Sequence, residues 1–459
     1  MSTETARPQK MRPQKMTGKV AVASFIGTTI EGYDFVLYGL AAATVFGPLF
    51  FAPAAPLIGT IAAFATYAVG FVARPVGGVL GGHYGDRIGR KTVLVASLLL
   101  TGLATTAIGL LPTYAQIGWV APALLLLLRV IQGIGYGAEW AGAALMTVEH
   151  AAPKKRGLTS SATQLGPTSG MLLATGVLLL LENTLSDEQF LAWGWRVPFV
   201  ASLVLVAVGL AIRLSVEDSP EFKHVQSVQT VAARPVVESF KTHPRQILLT
   251  TGLRIAQNAF YYVYTVFILT YLTQVAGTDR NTGLTAVLIA SALGLVTVPL
   301  WGALSDRFGR RSVYLFGAVA SAAAIIPFFW LLDTGNFLLI ILGVVVGLNI
   351  GHDAMYGPQA AFFSELFSTR VRFSGVSIGY QIGSVLGGGL APLVATALLA
   401  AGGGNPVWVV VYFLAVSAIT IVATLKSPET KDRALGDTEL PAAAPAAAAA
   451  ESRDPAVVR

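Results

Sequence analysis

The chain contains no cysteine, five histidines and six methionines in 459 residues. Without cysteine there is no disulfide framework and no thiolate metal site. The histidines form no HExxH-like pair, which leaves little for a metal enzyme. No Ser-His-Asp pattern, metal-ligand spacing or nucleotide loop stands out, so a membrane enzyme or a sensor is disfavoured. Charge is equally scarce. Only 12% of residues are Asp, Glu, Lys or Arg, against roughly 25% in soluble domains. The polar, basic N-terminus, with RPQKM at Arg7–Met11 and again at Arg12–Met16, lacks the short apolar core and small-residue cleavage site of a signal peptide, and none is expected.

Apolar residues make up 54% of the chain, and the mean hydropathy is +0.66. A chain this long and this apolar belongs in a lipid bilayer. A helical span takes about 20 apolar residues. That length predicts twelve spans, near 20–50, 57–81, 92–112, 119–148, 158–182, 194–215, 245–275, 283–304, 312–332, 336–364, 373–401 and 406–425. The net charge of +7 would suit nucleic acid, but no nucleic-acid partner is expected, because the basic residues flank apolar spans. One set of loops carries Lys10, Arg12, Lys15, Lys19, Arg87, Arg90, Lys91, Lys154, Lys155, Arg156, Arg307, Arg310, Arg311, Arg370, Arg372, Lys426 and Lys431. The opposite set holds only Arg196 and Arg280. Positive residues mark the cytoplasmic side, so both termini are expected there.

One charged stretch occurs twice. GHYGDRIGRK at Gly82–Lys91 returns as GALSDRFGRR at Gly302–Arg311, 220 positions on (82 to 302). Glu149 and Arg156 at the end of the fourth span have counterparts in Glu365 and Arg372 at the end of the tenth. Pro220-Glu221 and Pro428-Glu429 close the two halves. Repeats in this order indicate two related six-span halves: 18–215 and 245–427. They are joined by a connector at 216–244, preceded by a tail at 1–17 and followed by a Pro/Ala-rich tail at 428–459 that is expected to be disordered.

Charges inside the spans are functional candidates, since each costs roughly 2.5–3.5 kcal/mol on insertion scales unless it faces the bundle interior. The first span carries Glu31, Asp34 and Tyr38 on one face. The fourth carries Arg129, Gln132, Tyr136 and Glu139 at helical spacing. Asp34 lies about 22 Å from Lys19 and Arg129 about 30 Å from Glu149 along their helices, which puts them close enough in depth to pair. An acid that exchanges a proton for an Arg partner is a proton switch; a fixed structural ion pair is the plain alternative. Arg74 needs an acid, and Glu31 or Glu139 are candidates.

The second half looks swapped. The seventh span carries Arg254, Gln257, Asn258, Tyr261, Tyr262 and Thr265. The tenth carries Asn349, His352, Asp353 and Tyr356. Arg254 stands 220 positions after Asp34 (34 to 254), the offset of the hairpins. An Arg among amides and phenols suits a carboxylate ligand, which its planar fork binds bidentately; permanent neutralisation by Asp353 is the alternative. His352 is a titratable residue, but beside Asp353 it reads more simply as an oriented pair. Gln164, Tyr380 and Gln381 are polar positions that serve either a substrate or interhelical packing.

The repeated GxxxDRxGR[KR] hairpin resembles the signature of the major facilitator superfamily. The stretches EGYDFVLYG, FVARPVGGVLGGHYGDRIGRK, LRVIQGIGYGAEWAGAAL, DEQFLAWGWRVPF and SGVSIGYQIGSVLGGGLAP are similar to the metabolite:proton symporter family. LRIAQN around Arg254 and NIGHD at Asn349–Asp353 look closest to shikimate permeases. The resemblance covers about residues 18–430. It implies an all-α integral membrane protein of twelve helices, seated as a monomer in a bacterial inner membrane, that imports a small organic acid or zwitterion, the carboxylate being the leading expectation, with protons as the coupling ion and no other cofactor. It also implies a cytoplasmic gate of Gly82, Asp86, Arg87, Arg90, Glu149 and Arg156, with Asp306, Arg307, Arg310, Glu365 and Arg372 as the second set. Two departures are notable. The fourth span reads GAEWAGA where the family has GGEWGG. LGPTSG at Leu165–Gly170 partly resembles the GxxxGPxxGG signature of drug:proton antiporters, with Ala162 and Met171 in place of its outer glycines, so export stays open. A proline- or betaine-type osmolyte symporter is a further alternative.

Overall fold

In lipid a backbone N–H or C=O finds a partner only within its own segment, so long apolar runs fold as helices. The computed structural model describes residues 18–52, 54–88, 90–137, 140–149, 151–215, 235–368, 371–433 and 435. Twelve helical units run through them. They are α1 (Gly18–Thr44), α2 (Pro56–Ile88), α3 (Arg90–Leu110), α4 (Val120–Tyr136, resuming at Trp140–Glu149), α5 (Arg156–Thr184) and α6 (Arg196–Ser215) in the first half. In the second half they are α7 (Pro244–Tyr262, continuing to Gln274), α8 (Arg280–Phe308), α9 (Arg310–Asp333), α10 (Phe337–Glu365), α11 (Arg372–Ala401) and α12 (Val407–Lys426). Each unit falls on one of the twelve expected spans, and the described residues contain no strand.

Length and apolarity alone pick out only seven of these helices, or eight if the bent pair Asp187–Gly194 and Arg196–Ile212 is one span. The remainder are short apolar pieces, such as Val95–Leu110 and Val120–Tyr136, or helices diluted by their own charges, as α1 is by Glu31 and Asp34.

Three helices of the second half contain a π-helical turn: Val263–Phe267 in α7, Val346–His352 in α10 and Val385–Gly389 in α11. Such turns gather at functional sites because the extra residue rotates the following side chains. The one in α10 carries Asn349 and His352 and ends at Asp353.

The two halves meet along α5, which runs against α8 and α10, and along α2, which runs against α11. Small residues allow the close approach. On the outer side Gln274 Nε2 donates to Thr60 Oγ1 at 2.9 Å, and Arg280 pairs with Glu182. Between these groups and Thr44–Pro56 lies a cavity of about 360 Å³. Further in, Tyr262 of the second half packs edge-on against Tyr67 and Phe71 of the first, with ring centroids 5.6 Å apart in each case.

The tail does not begin at Pro428 as expected. Residues 428–433 and 435 are placed against the helix ends. Glu429 accepts from the backbone N–H groups of Arg310 and Arg311 at 2.8 and 3.1 Å, capping α9, and Thr430 donates to Glu365 at 2.7 Å. Carboxylate capping of an otherwise unpaired helix terminus holds this segment. The expected N-terminal tail, Glu139, connector residues 216–234 and the chain beyond 435 lie outside the described residues. The rest of the connector includes a short helix, Pro235–Thr242.

Candidate functional site

In the first half, α1 and α4 bring their polar faces together over α2. Arg129 is fully buried, and its guanidinium carbon lies 4.0, 4.1 and 4.6 Å from the ring centroids of Phe35, Tyr38 and Tyr67. Its Nη1 donates to Gln132, whose Nε2 donates to Thr105 Oγ1 at 2.8 Å. Gly70 makes the room: a Cβ there would sit 2.3 Å from Arg129 Nε. Tyr38 spends its hydroxyl on Thr66 at 2.7 Å. Arg74 is caged in the same way by Phe35, Phe71 and Tyr136, at 3.7, 4.2 and 3.9 Å. The Phe35 ring thus serves two guanidinium groups at once.

The expected pairing of Asp34 with Arg129 is not formed. Asp34 is fully buried, and among the described residues neither carboxyl oxygen has a hydrogen-bond partner within 3.5 Å. Arg129 Nε and Nη2 are equally unsatisfied. The aromatic cage and Gln132 draw the guanidinium away, and Gln132 in turn bonds Thr105, which lies beside Asp34. Glu31 is buried and shares with Arg74 an electrostatic neighbourhood that includes Tyr136 and Tyr380. Glu139, the other acid considered for Arg74, lies outside the described residues.

In the second half the polar groups form one continuous network. Arg254 is 4% exposed. Its Nη1 donates to Gln257 and, at 2.7 Å, to Gln359 Oε1. Its Nη2 donates to Tyr380 at 2.7 Å and its Nε to Ser384 at 3.1 Å. Gln257 Nε2 meets His352 Nε2 at 2.6 Å, and His352 Nδ1 meets Asp353 Oδ1 at 2.9 Å. Asp353 Oδ2 accepts from Thr297 and, at 3.0 Å, from Asn349. The alternative in which Asp353 neutralises Arg254 directly is therefore not realised: Gln257 and His352 stand between them. Gly383 mirrors Gly70, since a Cβ there would lie 2.5 Å from Arg254 Cβ.

The other expected site residues divide. Asn258 donates to the Ser384 carbonyl at 3.3 Å, and the Tyr261 and Tyr356 rings flank His352 at 5.2 and 5.1 Å. Gln164 and Gln381 cross between halves, donating to the carbonyls of Tyr356 and Gly137 at 3.4 and 3.2 Å. Gln359, Ser384 and Thr105 escaped sequence reasoning. Gln359 continues the three-residue step of Asp353 and Tyr356 along α10, and Ser384 follows Gln381 at the same step, so a longer stripe would have included both. Nothing in the sequence sets Thr105 apart from Thr101 and Thr106 on the same helix.

At the inner face the charges cross. Arg156 of the first half lies 3.8 Å from Glu365 of the second, and Arg372 of the second lies 3.6 Å from Glu149 of the first. Arg310 pairs with Asp306 at 2.7 Å and Glu365 at 3.4 Å. Asp306 accepts from the N–H groups of Gly157 and Leu158 at 2.8 and 2.9 Å, capping α5 from the other half. Arg307 is exposed and stacks on Phe308; expected in the gate, it makes no ion pair among the described residues. Of Gly82, Asp86, Arg87 and Arg90 only the helical backbone is described.

Two repeated helical bundles, buried charges between them and ionic contacts across one face define a secondary transporter. The chain belongs to the Major Facilitator Superfamily, whose family model matches residues 24–378 and 260–457. It is similar to the shikimate transporter of Escherichia coli, at 42% identity over 89% of this chain and 93% of that protein. It is also similar to the glycine betaine/proline/ectoine/pipecolic acid transporter OusA of Dickeya dadantii, at 35% identity over 91% and 84%. Among solved structures a D-xylose-proton symporter superposes with a TM-score of 0.72 at 18% identity, covering 91% of this chain and 99% of that one. The fold is thus that of a twelve-helix carrier, and the chain is a multi-pass membrane transporter for a small molecule, not an enzyme.

Proposed function

We propose that the chain imports a small organic acid of the shikimate type, driven by protons, across a bacterial inner membrane. The observation that carries this reading is Arg254. It is buried, and its four hydrogen-bond partners, Gln257, Gln359, Tyr380 and Ser384, are all neutral. A buried guanidinium without a counter-charge is costly, and a substrate carboxylate supplies the missing anion bidentately. The Tyr380 ring lies 3.9 Å from the guanidinium carbon, and Asn258 bonds the backbone of Ser384 beside it. The kinship with the shikimate transporter supports a hydroxylated acid.

Asp34 is the proton site. A fully buried carboxyl that forms no ion pair among the described residues is accommodated at least cost as the neutral acid. Losing the proton would leave a carboxylate that draws Arg129 out of its cage. Protonation and substrate binding then bias the rocking of the two halves. The carrier works as a monomer, because both sites lie within one chain, and the proton is its only cofactor.

Binding of shikimate and of its methyl ester to the purified carrier tests the Arg254 assignment. The acid binds, the ester binds at least about tenfold more weakly through loss of a charge-assisted contact, and Arg254→Ala abolishes the difference. Equal binding of acid and ester excludes it. A zwitterionic osmolyte is the second reading, favoured by the similarity to OusA; proline outcompeting shikimate would select it.

A further inference from the structure

Gln257 sits between two groups that dictate how its amide points. Arg254 has only donors, so Gln257 presents Oε1 to it, and that oxygen also accepts from Gln359 Nε2 at 3.1 Å. Nε2 is therefore the atom 2.6 Å from His352 Nε2, and it donates there. His352 Nε2 must be an unprotonated acceptor, and its one proton is on Nδ1, directed at Asp353. As long as Gln257 is held by Arg254, the imidazole is locked neutral.

We propose that His352 is a second proton-binding site that opens only when an anion occupies Arg254. This rests on the carboxylate reading of Arg254. An incoming carboxylate displaces the Gln257 and Gln359 oxygens from the guanidinium. Gln257 is then free to turn its amide over. Oε1 now faces His352 and accepts a new Nε2–H, while Nε2 faces the bound carboxylate and donates to it. The proton enters on Nε2. His352 becomes an imidazolium between Asp353, whose Oδ2 accepts from Thr297 and Asn349, and the turned amide. One negative charge and one proton are added together, so the buried region gains no net charge.

The surroundings suit this. A cavity of about 10 Å³, lined in part by Thr168, Ser291, His352 and Asp353, has room for about one water beside the pair. The titratable and charged groups around His352 are Asp353 and Tyr356 on its own helix, and Tyr261 and, through Gln257, Arg254 on α7. The packed faces of α8 and α9 present Ser291, Gly294, Gly317 and Ser321. Asp353 is thus the only acid at this site among the described residues, and the imidazolium has one counter-ion at hand.

The test is nuclear magnetic resonance of isotopically labelled histidine in the full-length carrier, with the other four histidines replaced. The expected result without ligand is a His352 signal that does not titrate between about pH 5 and about pH 8, the range in which a free imidazole does. Shikimate restores titration. Gln257→Leu, and independently Gln257→Met, restore it without any ligand. If His352 titrates in the unliganded native carrier, or stays silent in both Gln257 variants, the proposal is overturned. If the Gln257 variants titrate but shikimate has no effect on the native carrier, the amide lock stands and the substrate reading of Arg254 fails.

Discussion

Arg156 of the first half lies 3.8 Å from Glu365 of the second, and the pair is closed by the chain's own repeat: Arg372 and Glu149, the equivalent residues with halves exchanged, lie 3.6 Å apart. The two contacts are related by the pseudo-twofold symmetry that the duplicated hairpin announces. Both must part when the inner face opens.

Glu365 is the centre of this charge cluster, buried against Arg156, Arg310 and Thr430. Removing one member of a buried charge cluster costs about 3 kcal/mol, on the order of a hundredfold in an equilibrium. Glu365→Gln shifts the carrier toward the inward-open form. Since the chain has no cysteine, a pair of introduced cysteines carrying spin labels on the ends of α5 and α8 reports that opening as a lengthened distance without background. An unchanged distance distribution removes Glu365 from the gate.

Gly383→Ala places a methyl 2.5 Å from Arg254 Cβ, and Gly70→Ala places one 2.3 Å from Arg129 Nε. Overpacking of this kind costs about 1–3 kcal/mol. The two variants separate by function. Gly383→Ala weakens substrate binding and leaves Asp34 in place. Gly70→Ala dislodges Arg129 and impairs coupling with binding largely kept. Equilibrium binding and proton-driven uptake, measured on both, check the distinction.

Arg254→Lys is not a conservative change here. An ammonium cannot reach Gln359, Tyr380 and Ser384 together as the fork does. Substrate affinity falls by at least about tenfold, read as a raised KM in uptake assays. Retained affinity would mean that only the positive charge matters.

Much of this was legible in the sequence, for particular reasons. The hairpin at Gly82–Lys91 and its copy at Gly302–Arg311 gave the twofold plan, because charge at helix ends cannot be hidden in lipid. Arg254, Gln257, His352 and Asp353 were legible because polar residues on an apolar helix need partners. What was not legible is who partners whom. Asp34 and Arg129 match in depth, yet aromatic rings that look like ordinary packing, Phe35, Tyr38 and Tyr67, hold the guanidinium elsewhere. The π-turn at Val346–His352, which sets the facing of His352 and Asp353, has no sequence signature beyond nearby glycines. Glu429 reads as the start of a tail, and only the N–H groups at the first turn of α9 show why it is held.

Asp34→Asn fixes the first-half acid in its neutral state. Exchange of substrate across the membrane continues, because the rocking motion is intact, while accumulation against a gradient is lost. Counterflow and net uptake in the same vesicles separate the two.

The most direct test of the account is accumulation of shikimate in proteoliposomes under an imposed inward proton gradient, with quinate, protocatechuate, α-ketoglutarate, citrate and proline alongside. The account predicts protonophore-sensitive accumulation of a carboxylate that Arg254→Ala abolishes. Substrate driven outward against the proton flow would contradict it and make Gly166-Pro167 of α5 the next site to change.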